Sequence, residues 1–369
     1  MYLARERIRA DLKVLLALVG ALLIIGLLFI YSSSSVYALE KLGSATYFVK
    51  KQLIGLFLGV VAMIIMRFVS LEFIKRASPY FFLGSLFLTS LTLIPSLAVR
   101  IHGSSRWLNF FGFTLQPSEL LKIALIVYVA YFLTKKGRQS ASFIHGYLPF
   151  LTIIGLTCAV LLKQPDFGLT VTLSTTVFML LFIAQFRAKH LLLTFSLIIP
   201  ALIGLIYFFP YRLKRILTFL NPWDDPQGAG FQIIQSLIAI GSGSFLGSGI
   251  ANSKQKFFYL PMQHTDFIFS IIAEETGFVG SILLVTLYVL FLYFGIRIAW
   301  QLKDSFAIFV TLGFVLLTSL QAIINLCVAT GLLPTKGIGL PFISYGNSSL
   351  ICSLAMIGLI INCVNESRL

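Results

Sequence analysis

Val14-Leu-Leu-Ala-Leu-Val-Gly-Ala-Leu-Leu-Ile-Ile-Gly-Leu-Leu-Phe-Ile30 is an unbroken apolar run, preceded by Arg5, Arg7, Arg9 and Lys13. A helix needs about 17–25 such residues to cross the hydrocarbon core of a bilayer. The apolar core of a secretory signal is shorter, roughly 7–15 residues. The run therefore reads as a retained first span, even though the small residues Ser32 to Ser35 that follow imitate a cleavage site.

The rest of the chain repeats this pattern. Of 369 residues, 58% are hydrophobic and 11% charged, with a mean hydropathy of +0.95. Soluble domains carry about 25% charged residues, so the composition excludes a soluble enzyme. The expected fold is an all-α polytopic membrane protein in one domain, 1–369. Ten spans are expected near 14–33, 52–70, 79–99, 118–134, 147–163, 168–186, 190–209, 266–296, 305–331 and 342–363. The largest connection, between the seventh and eighth spans, covers about 210–265. Cys158, Cys327, Cys352 and Cys363 lie in or beside apolar runs without metal-ligand spacing, which fits small core residues.

Ten spans place both termini on one side, and the distribution of Lys and Arg selects the cytoplasm. The termini and the loops near 67–78, 135–146, 186–190 and 297–304 hold 15 of the 28 basic residues against five acids, a net charge of +10. The remainder is also positive. It includes Arg100, Arg106, Lys163, Arg212, Lys214, Arg215, Lys254, Lys256 and Lys336. Snorkelling toward headgroups accounts for such residues. A site for an anionic ligand at the outer leaflet accounts for them equally, because clustered cations concentrate anions.

Polar chemistry gathers in five places. Arg106-Trp107 precedes Gln116-Pro117-Ser118-Glu119, and Lys122 follows one helical turn after Glu119. Glu119 and Lys122 share a helix face. They form either a self-satisfied ion pair or a pair in which Lys122 reaches a phosphate. Trp107 suits an interfacial aromatic belt as well as a ligand site. Lys163-Gln164-Pro165-Asp166 joins two spans, with Asp166 as a natural helix cap. The connection 210–265 carries Arg212, Lys214, Arg215 and the glycine-rich stretch Gly241–Gly249, which suggests close backbone approaches. Pro334 through Ser349 places Ser344, Tyr345 and Ser348 in an otherwise apolar segment, either to pack helices or to line a polar cavity.

The fifth place is Lys254-Gln-Lys256-Phe-Phe-Tyr-Leu-Pro261-Met-Gln-His264-Thr-Asp266. Asp266 stands at the edge of an apolar run, where desolvation raises a carboxyl pKa and suits it to act as a base near neutral pH. Capping the helix is the plain alternative. By helical spacing, Glu274 and Glu275 cannot both share its face.

These blocks, in this order, resemble the SEDS family (shape, elongation, division and sporulation). The resemblance rests on Arg106-Trp107-Leu, Gln116-Pro-Ser-Glu119 with Lys122, Gln164-Pro-Asp166, Gly228-Ala-Gly230-Phe-Gln232, Gln255-Lys256, Tyr259-Leu-Pro261, His264-Thr-Asp266-Phe-Ile-Phe269, Ala273-Glu274-Glu275-Thr-Gly277 and Pro334 through Ser349. Pro334-Thr335-Lys336-Gly337 and His264-Thr265-Asp266 are more similar to its cell-division branch than to its elongation branch. Asn347 and Phe167 depart from the usual pattern, and neither removes a candidate catalytic group.

The resemblance implies a peptidoglycan glycosyltransferase of the cytoplasmic (inner) membrane that polymerises lipid II at the outer leaflet. It implies Asp266 as catalytic base. Candidates for holding the substrate's pyrophosphate and sugars are Lys122, Glu119, Arg106, Trp107, Arg212, Arg215, Lys254, Lys256, Ser344, Tyr345 and Ser348. It implies a class B penicillin-binding protein and other divisome proteins as partners, and no nucleic acid. No particular cofactor is implied. A divalent cation, Mg2+ or Mn2+, held by Asp266 is an alternative way to meet the pyrophosphate. A lipid flippase and a non-catalytic division scaffold are the competing functions.

Overall fold

The computed structural model describes residues 2–101, 104–110, 113–136, 142–208, 210–228, 230–256, 261, 263–335 and 337–366. Its helices are α1 (Tyr2–Leu42), α2 (Tyr47–Phe68), α3 (Leu71–Leu91), α4 (Pro117–Lys136), α5 (Leu148–Lys163), α6 (Phe167–Ile183), α7 (Ala188–Tyr207), α8 (Pro210–Leu220), α9 (Phe231–Ser242), α10 (Ile268–Gln301), α11 (Ser305–Ala329) and α12 (Asn347–Glu366). Each expected apolar run lands on a helix. Among the described residues, seven helices are long and apolar enough to cross a membrane: α1, α2, α4, α5 with the turn before it, α10, α11 and α12. The fold is thus a mostly helical, polytopic membrane bundle.

Three expectations need correction. The chain is not wholly α: β1 (Ala98–Ile101), β2 (Ser104–Phe110) and β3 (Phe113–Leu115) form an antiparallel sheet in the order β1-β2-β3. The third helix begins at Leu71 rather than near 79. Ser70 caps it by accepting from the Phe73 N–H, and Pro79 lies inside it. The connection 210–265 is not one loop, since it contains α8 and α9.

Helices α4, α11 and α12 are the most enclosed. α2 lies against α12, where small residues permit close approach. A side chain at Gly358 would strike the Met63 backbone, and one at Gly59 would strike Leu354. The Asn362 amide donates to the Met66 carbonyl at 2.8 Å and to that of Val69, fixing the far end of the same crossing.

Charged contacts define the two ends of the bundle. At one end Arg297 pairs with Asp11 at 3.0 Å, Lys75 with Asp304 at 3.2 Å, and Glu366 accepts from the Leu71 N–H at 2.9 Å. At the other end lie the sheet, the start of α10 and residues 337–346.

α10 is discontinuous. Gly277 adopts φ 67°, ψ −160°, in the left-handed half of backbone space that glycine occupies readily. Residues 244–249 satisfy the broken ladder. Ser248 and Gly249 N–H donate to the Glu274 and Glu275 carbonyls at 2.9 and 3.1 Å, and Phe278 and Val279 N–H donate to Ser244 and Phe245 carbonyls at 3.0 and 3.3 Å. The glycine-rich stretch therefore makes a close backbone approach.

Candidate active site at the membrane edge

Asp266 sits two residues before α10, half-buried, on a strap held from three sides. Asn325 of α11 donates to the Asp266 carbonyl and to the Ile338 carbonyl, each at 2.7 Å. Ser344 Oγ donates to the Thr265 carbonyl at 2.5 Å and accepts from the Leu340 N–H at 2.7 Å. The Tyr345 N–H donates to the His264 carbonyl at 3.0 Å. Gln52 of α2 supports the same loop, accepting from the Gly346 N–H at 3.2 Å. The His264 ring packs on Phe48 at 4.4 Å between centroids, with Tyr37 and Tyr345 both at 5.9 Å.

The carboxylate faces a guanidinium across Gly337. A Cβ placed on that glycine would lie 3.6 Å from Asp266 Oδ2 and 3.5 Å from Arg106 Nη1. Arg106 projects from β2, and the turn before α6 holds its other nitrogens. Nη2 donates to the Pro165 carbonyl at 2.7 Å, Nε donates to the Gln164 carbonyl at 3.4 Å, and Nε lies 3.6 Å from Asp166 Oδ2. Asp166 also caps α6 by accepting from the Leu169 N–H at 3.2 Å. The turn is anchored in its own right, because buried Gln164 donates to the Thr89 carbonyl at 2.7 Å and to Thr92 Oγ1. Behind it, buried Glu119 and Lys122 of α4 pair at 2.5 Å.

Burial pushes the Asp266 carboxyl up to about 7; the Arg106 cation pulls it down and the Asp166 anion pushes it further up. Asp166 is also raised, first by burial, against the opposing pull of Arg106. A carboxylate poised near neutrality can accept a proton there.

The structure brings Arg106 to Asp266 and places several other candidates elsewhere. Glu119 and Lys122 satisfy each other's charge. Ser344 and Tyr345 build the strap. Ser348 Oγ accepts from the Gln116 N–H at 3.2 Å, tying α12 to the start of α4. Trp107 is half-buried in β2, paired in register with Val99. Lys256 is corrected most. It is not on the outer surface but buried, with Nζ on the Ala251 carbonyl and 3.8 Å from Glu275. Glu274 and Glu275 both turn toward this loop: Glu274 accepts from Ser253 Oγ at 2.5 Å and the Lys254 N–H at 2.8 Å, and Glu275 accepts from the Ser253 N–H at 3.3 Å and from Ser32 Oγ of α1 at 2.6 Å. Lys254 and Arg215 are exposed, with Arg215 Nη1 3.5 Å from the Thr335 carbonyl. The side chain of Arg212, and Lys336, lie outside the described residues.

Asn325, Gly337 and Asp166 as the partner of Arg106 were missed by sequence reasoning. Asn325 was visible as an amide within an apolar span, a type of residue that seeks a specific partner there. Among the described residues, no group of three or more His, Cys, Asp and Glu side chains could hold a metal ion. The charged neighbour of Asp266 is a guanidinium, which donates hydrogen bonds and does not ligate. The described residues around Asp266 do not fit a built cation site.

The family model for FtsW, RodA and SpoVE, described as cell cycle protein, matches residues 13–369. The chain is 44% identical over 359 residues to a probable peptidoglycan glycosyltransferase FtsW of Geobacter metallireducens, covering 97% of this chain and 95% of that protein. It is 40% identical over 347 residues to stage V sporulation protein E of Bacillus subtilis, covering 94% and 95%. Two solved structures share the fold. One belongs to a study of how a peptidoglycan synthase complex coordinates polymerization and crosslinking, with TM-score 0.78 and 29% identity over 96% of this chain and 97% of that one. The other is the rod shape determining protein RodA of Thermus thermophilus, with TM-score 0.71 and 25% identity over the same shares.

Proposed function

The chain belongs to the FtsW/RodA/SpoVE family, and from that premise we propose that it is a peptidoglycan glycosyltransferase that polymerises lipid II for the septal wall, with Asp266 as general base. The observation that carries the role of Asp266 is its position: a carboxylate pushed up to about 7, at one end of the bundle, across Gly337 from a fixed guanidinium.

In the step this supports, a sugar hydroxyl of the incoming lipid II attacks the anomeric carbon of the growing strand. Its proton passes to the Asp266 carboxylate. The new C–O bond forms as the bond to the lipid pyrophosphate breaks, and the electron pair leaves with the pyrophosphate. One carboxylate suffices for this inversion, because pyrophosphate leaves without the acid partner that glycoside hydrolysis requires. Arg106 is the cation best placed to offset the departing charge.

The seven helices long and apolar enough to cross a membrane, together with α3, α6 and α7, are read as ten spans. Both termini are placed in the cytoplasm, at the end marked by Asp11–Arg297 and Glu366, and the site at the extracytoplasmic end. A class B penicillin-binding protein is the proposed partner. The solved relative from a complex that couples polymerization to crosslinking supports that pairing. The names of relatives 41–44% identical to this chain support the division branch.

Polymerisation of lipid II by the purified protein, alone and with that partner, tests the proposal. Glycan strands from the wild type and none from Asp266→Asn are expected. Lipid II translocation without polymerisation would instead support a flippase, and neither activity would support a scaffold.

A further inference from the structure

We propose that Asp166 is a positioning residue: it fixes the Arg106 guanidinium and, through Arg106, governs whether Asp266 is free to take a proton. This rests on reading Asp266 as the base. Asp166 is buried at the outer start of α6 and comes from a different part of the chain than Arg106 or Asp266. A cap needs only one carboxylate oxygen, and Oδ1 serves it. The second, Oδ2, is turned to Arg106 Nε at 3.6 Å. With the Pro165 and Gln164 carbonyls taking the other contacts, the guanidinium has three anchors on one turn and presents Nη1 to the gap at Gly337.

The charges around this line do not balance. Asp266 faces Arg106 from β2 and senses Asp166 from the α5–α6 turn; behind Asp166 lie Glu119 and Lys122 of α4, and His264 stands two residues before Asp266 on its own strap. Among the described residues, three carboxylates meet two fixed cations. In an enclosed site one surplus anion is expensive, so one carboxyl holds a proton at rest more readily than an isolated one. Asp266, which is partly open, is the member able to exchange it. Removing the Asp166 charge leaves two carboxylates for two cations and lets Asp266 ionise at lower pH. Removing the Arg106 charge does the reverse.

The two variants therefore have opposite signs, which a merely structural role for Asp166 does not produce. Asparagine caps helices as well as aspartate, so Asp166→Asn keeps the cap and loses the charge, while Asp166→Glu keeps the charge. The experiment is the pH profile of lipid II polymerisation by the purified protein with its partner. Asp166→Asn should move the acidic limb down by about one pH unit, and Arg106→Gln should move it up by a similar amount, the lower end of the range for a charge at close range. Asp166→Glu should leave it near the wild type.

Where a variant is too slow to assay, infrared titration of 13C-carboxyl aspartate in the folded protein, with the Asp266 band found by subtracting Asp266→Asn, reads the same shift without turnover. An unmoved limb and band in Asp166→Asn, or movement of both variants in one direction, overturns the proposal while leaving Asp266 as base intact. Polymerisation by Asp266→Asn at the wild-type rate removes the base reading, and the proposal with it.

Discussion

Asn325 holds Asp266 in place with one amide: one hydrogen goes to the Asp266 carbonyl and the other to that of Ile338, both at 2.7 Å. A single buried side chain on α11 thus joins the start of α10 to the loop before α12 and holds Asp266 near Gly337. Asn325→Ala leaves two carbonyls without these donors, at about 1–3 kcal/mol each. It should lower the melting temperature in detergent and reduce kcat more than it raises KM. Asn325→Asp, which offers acceptors to acceptors, should be worse than alanine in the same assays.

Gly337 borders both the Asp266 carboxylate and the Arg106 guanidinium. An alanine Cβ there makes ordinary contact with both groups, 3.5 and 3.6 Å away, so Gly337→Ala should polymerise within a few-fold of the wild type. Gly337→Leu would fill the gap. It should fold with an unchanged melting temperature and lose at least about tenfold in kcat/KM, the loss of about 1.4 kcal/mol of transition-state stabilisation. Steady-state kinetics beside a thermal-shift assay separates the two effects.

Glu119 and Lys122 are buried together at 2.5 Å. Breaking such a pair from one side strands a charge and costs about 3–5 kcal/mol, whereas replacing both partners with apolar residues is often nearly neutral. Glu119→Leu and Lys122→Met should each destabilise the protein strongly, and the double variant should recover most of the loss. A double-mutant cycle on thermal stability checks this; additive losses would mean that the pair is not coupled.

The raised pKa of Asp266 has a consequence for stability. Its folded-state value of about 7 lies above the ordinary 3.8. The protonated side chain therefore stabilises the fold at low pH, and that stability is lost as pH rises through about 7. Asp266→Asn should be more thermostable than the wild type above pH 7, with the advantage disappearing toward pH 4. Melting temperatures across that range test it, and an advantage that grows at low pH would contradict the assignment.

The membrane class and the helices were legible in the sequence, because apolar runs are local features, and the position of Asp266 at the edge of one could be read in the same way. The sheet over 98–115 was not. Its strands are three to seven residues long and carry no alternation long enough to read. The link from Arg106 to Asp166 was hidden for another reason. Each residue has a sufficient local explanation, an interfacial cation and a helix cap, and only the fold brings them together across about 60 positions. Lys256 misled because a lysine in an outer segment looks like surface charge until Glu275 is seen to be its partner.

The most direct measurement is the rate of lipid II polymerisation by the purified protein with its partner, for the wild type and Asp266→Asn, across pH 5 to 9. The wild-type rate should fall as pH drops through about 7, and Asp266→Asn, folded and bound to the partner, should make no glycan at any pH. Polymerisation by Asp266→Asn at the wild-type rate would contradict the account.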